Sequence, residues 1–514
     1  MRRREFLKTS SLGLAGSLLA PLLFQQCGTA TADRPNILFI MSDDHTANAW
    51  GCYESHLSEV ADTPNIDRLA AEGVRLDHAY CTNSICVPSR ASILTGQYSH
   101  QNGVYTLVDA MDPDRDHVGH WLQEAGYETA LIGKWHLKTA LAGFDHWEVL
   151  PGQGDYHDPV LKTMDGGEQQ YDGFSADVIT DLSLNWLQQR DSDQPFCLMT
   201  HFKSSHEPWH YADRHADLFA DVDIPEPPSL WEDKSHRSPG SREYGFTMDD
   251  MAYRQAGIAR GDWPTGNMDI SGMDQRERKR WAYQKFLKDF LRCGKAIDEN
   301  IGRLLAYLDA NGLAENTVVI YTSDQGYFLG EHDYIDKRWM FEESMQMPLV
   351  ARYPGEIPAG SVNEDLILNT DFAPTLLDYA GASPPDSVQG RSMRPNLQGD
   401  TPEDWRTAMY YRYWMHGNGA SRPAHYGIRT EEYKLIFYYG LPLDATGTSD
   451  TPTHPGWELY DLKRDPQEMD NVYEDPKYAE VIVDLKEQLL DLKEDLGDTD
   501  EQYPELMALR EKYW

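Results

Sequence analysis

Three short stretches of this chain carry side chains able to do chemistry together. Asp43-Asp44 follows the apolar run Ile37-Leu38-Phe39-Ile40-Met41, and Asp324-Gln325-Gly326 follows Val318-Val319-Ile320-Tyr321. Neighbouring side chains on a strand point to opposite faces, so two adjacent acids converge only where the strand has ended. The crevice beyond the carboxyl ends of strands is where open α/β sheets bind ligands. Three carboxylates and an amide oxygen from two such ends form a nest for a hard cation, Ca²⁺ or Mg²⁺. Two solvated turns are the competing reading, because Asp and Gly are common turn formers. The third stretch is Cys86-Val87-Pro88-Ser89-Arg90. Pro88 suits the first turn of a helix running to about Thr95, with Gly96 as its terminator. Cys86 then stands at a helix N-terminus, where free N–H groups and the dipole favour an anion. A buried structural cysteine is the bland alternative.

Such residues need a frame of parallel strands to carry them. From Pro35 onward short apolar strands alternate with helical stretches, which predicts an α/β fold with a large, mostly parallel sheet flanked by helices. Strands are expected at residues 37–41, 129–132, 196–200 and 318–322. The first is apolar throughout, as in a strand buried on both faces. Thr63-Pro64 opens a helix, with Pro64 at its first position. Residues 281–308 carry Phe286, Phe290, Ile297, Ile301, Leu304 and Leu308 at helical spacing, with a bend expected near Gly294. Residues 207–274 are poor in aliphatics and read as a loop-rich insertion within a catalytic domain of residues 35–404. Beyond it the texture changes. Residues 426–439 and 457–461 read as an antiparallel meander, and a helix at 478–496 repeats Ile482, Leu485, Leu489 and Leu492, giving a smaller C-terminal α+β subdomain over residues 405–514.

Composition narrows the function. With 46 Lys+Arg against 84 Asp+Glu among 514 residues, the formal charge is −38. Attraction to phosphates dominates nucleic-acid affinity, so nucleic acid is excluded as a partner. Any anion site must be built from local basic groups. Residues 1–30 read as an export signal: Arg3-Arg4-Glu5-Phe6-Leu7-Lys8 looks like a twin-arginine motif, followed by a small apolar run short of the ~20 residues a bilayer span needs. No stable membrane span is expected after processing. The protein is expected in the periplasm or secreted, with lipidation at Cys27 the minority alternative. Five cysteines remain after the signal, an odd number that leaves at least one unpaired thiol.

Taken together, these motifs resemble the type I sulfatases of the alkaline-phosphatase superfamily, in which the cysteine of Cys-x-Pro-Ser-Arg is oxidised to formylglycine. The resemblance extends from Pro35-Asn36-Ile37 through Gly133-Lys134-Trp135-His136-Leu137 and Ser323-Asp324-Gln325-Gly326 to Trp457-Glu458-Leu459-Tyr460-Asp461. It implies that Cys86 becomes the formylglycine nucleophile, with a formylglycine-generating maturation enzyme and the export machinery as partners. It further implies Asp43, Asp44, Asp324 and Gln325 as ligands of Ca²⁺, with Mg²⁺ second. Arg90 would hold the formylglycine, Lys134 and Lys337 would clamp sulfate oxygens, His206 would protonate the departing alcohol, and His136 would assist the second step. His332 and His425, with His201 behind them, are expected near sugar hydroxyls. Gln325 departs from the Asn or His of many relatives, and Ser204-Ser205 from a common Ala-Pro. The run from Asp324 to His332 is similar to bacterial glycan sulfatases and to the N-acetylglucosamine-6-sulfatase and iduronate-2-sulfatase types. The substrate so implied is a sulfated carbohydrate. A formylglycine-dependent phosphonate or phosphodiester hydrolase and a silent glycan-binding pseudosulfatase are the alternatives.

Overall fold

The apolar run near the N-terminus forms the strand Asn36–Ser42, buried along its whole length in a computed structural model that describes residues 34–417 and 422–514. The export segment, residues 1–30 with Cys27, lies outside the described residues. Side chains of this strand alternate between two hydrophobic cores. Leu38 and Ile40 enter one, and Ile37, Phe39 and Met41 enter the other. The strand pairs in parallel with Phe196–His201 on one side and Thr317–Ser323 on the other. The parallel set continues through Glu128–Lys134 to His146–Leu150. These five strands form the middle of a ten-stranded sheet, flanked by the antiparallel strands Leu349–Arg352 and Val160–Thr163. All four strands expected from the sequence are present, within one or two residues at each end.

Helices cover both faces. On the first, Gln275–Ala310 buries Phe286, Phe290, Ile297, Ile301, Leu304 and Leu308 completely. It begins six residues before Trp281, because Asp274 and Glu277 close a reciprocal cap and the polar first turns need no apolar stripe. The helix is continuous through Gly294, where a Cβ would come within 3.0 Å of His45 Nε2, so this glycine makes room for a neighbour instead of marking a break. On the other face lies Cys86–Thr95, every residue of it buried, ending at Gly96 in the left-handed region with φ 66°.

The C-terminal meander is a four-stranded antiparallel sheet: Ala408–Tyr413, His425–Thr430, Tyr433–Tyr438 and Gly456–Asp461. Helix Ala479–Leu496 docks on it through Leu485 and Leu489, with Ile482 and Leu492 half-buried beside them. The same core contains Tyr80, Ile85, Trp339 and Phe341 from the larger part of the chain. All five cysteines from Cys52 onward are free. Among the described residues no helix is long and apolar enough to cross a membrane.

One buried ion pair anchors the C-terminal segment. Arg412 Nη1 lies 2.5 Å from Asp498 Oδ1, with the guanidinium 3.5 Å above the Trp414 ring. Burial alone would raise the Asp498 carboxyl, but Arg412 and Lys493 hold it well below its ordinary value. A depressed carboxylate contributes stability above its ordinary pKa and loses it as pH falls toward the folded value. Asp498→Asn, which strands a buried guanidinium, is therefore expected to cost about 3–5 kcal/mol at neutral pH. Urea midpoints of the two proteins should differ at pH 7 and converge in acid; equal midpoints at pH 7 would refute the anchor.

Candidate active site

Two adjacent strand ends bring the acids together. Asp43 and Asp44 begin where Asn36–Ser42 stops, and Asp324 and Gln325 begin where Thr317–Ser323 stops, with Ser42 in register with Ser323. The Asp44 N–H donates to Asp324 Oδ1 at 3.3 Å, and the Asp324 N–H donates to the Ser42 carbonyl at 3.2 Å. Asp44 adopts φ 66°, turning the chain sharply after the strand. All four side chains are buried, which disposes of the solvated-turn reading. Asp43, Asp44 and Asp324 each bring a carboxylate oxygen within 4.8 Å of the others.

Cys86 faces this cluster from its helix. Its Sγ lies 3.5 Å from Asp43 Oδ1 and 3.8 Å from Gln325 Nε2. Burial pushes the thiol up to about 12, against the opposing charge of Lys337, so the unmodified side chain is neutral at physiological pH. One turn on, Arg90 Nε meets Asp324 Oδ2 at 2.9 Å while Nη1 donates to the Lys134 carbonyl at 2.8 Å. Lys134 Nζ contacts Asp43 and donates to Gln153 Oε1 at 2.5 Å. Lys337 Nζ sits 2.5 Å from Asp44 Oδ1. Three enclosed carboxylates thus face three enclosed basic side chains, although burial holds the Lys134 amine well below its ordinary value against the opposing charge of Asp324. Even so, burial carries the Asp44 carboxyl up to about 7, with Lys337 pulling it down and Asp324 pushing it further up.

The histidines divide into two groups. His206 turns Nε2 toward Asp44 Oδ2 at 3.9 Å while Nδ1 meets the Glu207 carbonyl at 2.8 Å. A carbonyl only accepts, so Nδ1 carries the hydrogen and Nε2 is the atom open to proton exchange. Burial, then Lys134 and Lys337, holds this imidazole well below its ordinary pKa. His136, with φ 63°, is likewise held down by burial, Lys134 and Arg90, and its Nδ1 has no partner. His201 lies beneath, its Nδ1 3.3 Å from the Lys134 carbonyl.

His332 and His425 are elsewhere, contrary to the expectation that they meet the sugar. His332 is fully buried, 2.7 Å from Glu232 Oε2 and 2.9 Å from Arg237 Nη2, in an ion network whose members do not line the pocket. His425 is fully buried between Trp339 and Tyr411, its Nδ1 on the Pro423 carbonyl at 2.8 Å. Proximity to a motif in sequence misled here, because a strand alternates its faces and a turn reverses them.

A pocket of about 200 Å³ opens onto Asp44, Cys86, His206 and Lys337. Its wall includes residues the sequence reading did not single out: Gln153, Arg254, Tyr327, Asp336, Arg338 and Arg422. The insertion supplies Glu207, Phe246, Arg254 and Arg260, its structure otherwise being short turns and the helix Met248–Gln255. Asp336 and Arg338, at φ 80° and 91°, flank Lys337 and pair at 2.9 Å. A charged triplet around a motif lysine was the available signal. Left-handed non-glycine residues gather at Asp44, His136, Asp336 and Arg338, the kind of strain that collects at functional sites.

Comparison with known proteins accords with this geometry. Residues 35–382 match the family model described as Sulfatase, and the chain belongs to the sulfatase family, enzymes that hydrolyse sulfuric esters. Residues 330–495 match the C-terminal model of N-sulphoglucosamine sulphohydrolase. The chain is 39% identical to an N-acetylglucosamine-6-O-sulfatase of Bacteroides thetaiotaomicron, covering 96% of this chain and 92% of the relative. It is 27% identical to the N-acetylglucosamine-6-sulfatase of Homo sapiens over 76% of this chain and 69% of that one. The solved structure of BT4656 in complex with its substrate D-glucosamine-2-N,6-O-disulfate aligns with TM-score 0.83 at 39% identity, covering 92% of this chain and all of the other.

Proposed function

We propose that this enzyme removes a sulfate ester from a sulfated glucosamine-type sugar, with Cys86 matured to formylglycine and Ca²⁺ held by Asp43, Asp44, Asp324 and Gln325. The observation that carries the reading is the convergence of three buried carboxylates and three buried basic side chains around Cys86, with Asp44, Cys86 and Lys337 opening onto one pocket. The residues fit a cation. Gln325 Oε1 is buried without a partner while its Nε2 rests on Asp44 at 2.5 Å, and rotation of the amide would offer oxygen to the cluster instead. When bound, the ion and the hydrated aldehyde would supply positive charge and an oxygen nucleophile respectively.

The chain's own residues do the rest. Three acids face three basic side chains, so a divalent ion would shift the balance of the floor toward positive charge, suited to an anionic sulfate. Arg90, bonded to Asp324 and to the Lys134 carbonyl, ties the nucleophile's helix to the acid cluster. The Nζ atoms of Lys134 and Lys337, which now contact Asp43 and Asp44, can donate to sulfate oxygens instead. His206 starts neutral. To act as an acid it must take up a proton at Nε2, which an anionic substrate favours by offsetting the lysines that hold its pKa down. His136 is neutral as well, and because burial, Lys134 and Arg90 hold its basicity down, it can take up a proton in the second step only when substrate anion charge offsets those neighbours.

Maturation requires a formylglycine-generating enzyme, and delivery to the periplasm or exterior through the export machinery rests on Arg3-Arg4-Glu5-Phe6-Leu7-Lys8. The test is sulfate release from N-acetylglucosamine-6-sulfate and from N,6-disulfated glucosamine, run beside an aryl phosphodiester. Higher kcat/KM on the sulfated sugars is expected; faster phosphodiester turnover would overturn the reading in favour of phosphorus chemistry.

A further inference from the structure

Beside the reaction pocket lies a second cavity of about 420 Å³. It shares Gln153 with the first, and His136 forms part of its wall. Gln153 also accepts from Lys134, so one side chain stands between the sulfate-binding floor and this neighbouring space. The cavity falls within the size range of small-molecule sites.

Its lining departs from the rest of the molecule. The chain holds 84 Asp+Glu among 514 residues, yet no acid lines this cavity. Instead it carries Lys138 and Lys162, and neither ammonium group makes an ion pair or hydrogen bond within the described structure. Most other lysines and arginines near the reaction pocket are paired with carboxylates. Trp135 and Trp147 line the same space. Lys138 sits at φ 58°, two residues after His136 at φ 63°, so the loop leaving strand Glu128–Lys134 holds two side chains at left-handed positions beside the cavity.

Flat aromatic faces suit the apolar face of a sugar ring, and unpaired ammonium groups suit a sulfate or carboxylate upon it. We propose that this cavity is a second carbohydrate subsite, which holds an anionic sugar residue adjoining the one whose sulfate is removed. Trp147 supplies the stacking face, Lys138 and Lys162 read the negative group, and Gln153 links the two subsites. The inference rests on the glycan-sulfatase reading above, but its test needs no turnover.

The probe is a heparin-type tetrasaccharide without 6-O-sulfate, titrated calorimetrically into the full-length protein carrying Cys86→Ala. It presents anionic sugars but lacks the 6-O-sulfate ester that the reaction pocket is proposed to hydrolyse. Binding should weaken as salt rises, and the double variant Lys138→Ala/Lys162→Ala should weaken it by about ten-fold. Trp147→Ala should weaken it independently of salt. Melting temperatures close to that of the parent protein confirm that the variants fold. No binding by the parent protein, or equal binding by the lysine and tryptophan variants, would overturn the subsite. If the tetrasaccharide binds as expected while the wild-type enzyme fails to release sulfate from sulfated glucosamine, the catalytic reading falls and the carbohydrate cavity stands.

Discussion

Cys86→Ala is expected to cut sulfate release by at least about a thousand-fold, the scale on which loss of a covalent nucleophile is felt. The protein should stay folded. The side chain is small, its Sγ makes one 3.5 Å contact with Asp43 and one 3.8 Å contact with Gln325, and the backbone of helix Cys86–Thr95 is held by its own bonds and by Gly96. Cys86→Ser should be almost as inactive, because a plain hydroxyl offers one oxygen on its carbon where the elimination step requires two. The neutral thiol explains why the unmodified side chain is a poor candidate: burial raises it to about 12, leaving almost no thiolate at neutral pH. Mass spectrometry of the peptide spanning Cys86, from active enzyme, should find the aldehyde. Substantial activity in Cys86→Ala would remove this residue from the chemistry.

Removal of divalent ions is expected to lower kcat/KM by at least about a hundred-fold, with Ca²⁺ restoring it more fully than Mg²⁺. Three buried carboxylates lie within 4.8 Å of one another, and the rise of Asp44 to about 7 comes first from burial, with Lys337 opposing it and repulsion from Asp324 adding to it. A bound cation would reverse the shift. Cation affinity should therefore fall as pH drops below about 7, where Asp44 takes up a proton, and ions and protons compete for one site. The checks are a chelation and add-back series and a thermal melt with Ca²⁺ at pH 6 and pH 8, with the larger stabilisation at pH 8. Full activity after exhaustive chelation, with no calcium-dependent melt, would refute the cage.

Much of the site was legible because its chemistry depends on local pattern. Asp43-Asp44 and Asp324-Gln325 each follow a continuous apolar run, and a run of that kind has few structures open to it other than a strand buried on both faces. Pro88 and Gly96 bracket the helix of Cys86 with conformational preferences that need no tertiary context. His332 and His425 were misplaced for the opposite reason. Whether a histidine faces a pocket or an ion network depends on Glu232 and Arg237, about a hundred positions away from His332, and no local pattern encodes that. The start of helix Gln275–Ala310 escaped notice because its first turns are polar on every side. Arg254, Asp336, Arg338 and Arg422 were missed because a pocket wall is assembled from an insertion, the segment around Lys337 and a distant loop.

The register of Ser42 with Ser323 also sets a schedule for biosynthesis. Asp44 and Asp324 are separated by 280 positions, so a nascent polypeptide leaving the ribosome has no acid cluster until well over half of it has been translated. Before that moment the carboxylates are dispersed along a growing chain and hydrated separately. Like charges are forced together only after the sheet closes around them, which ties completion of this centre to long-range contacts that are slow to find.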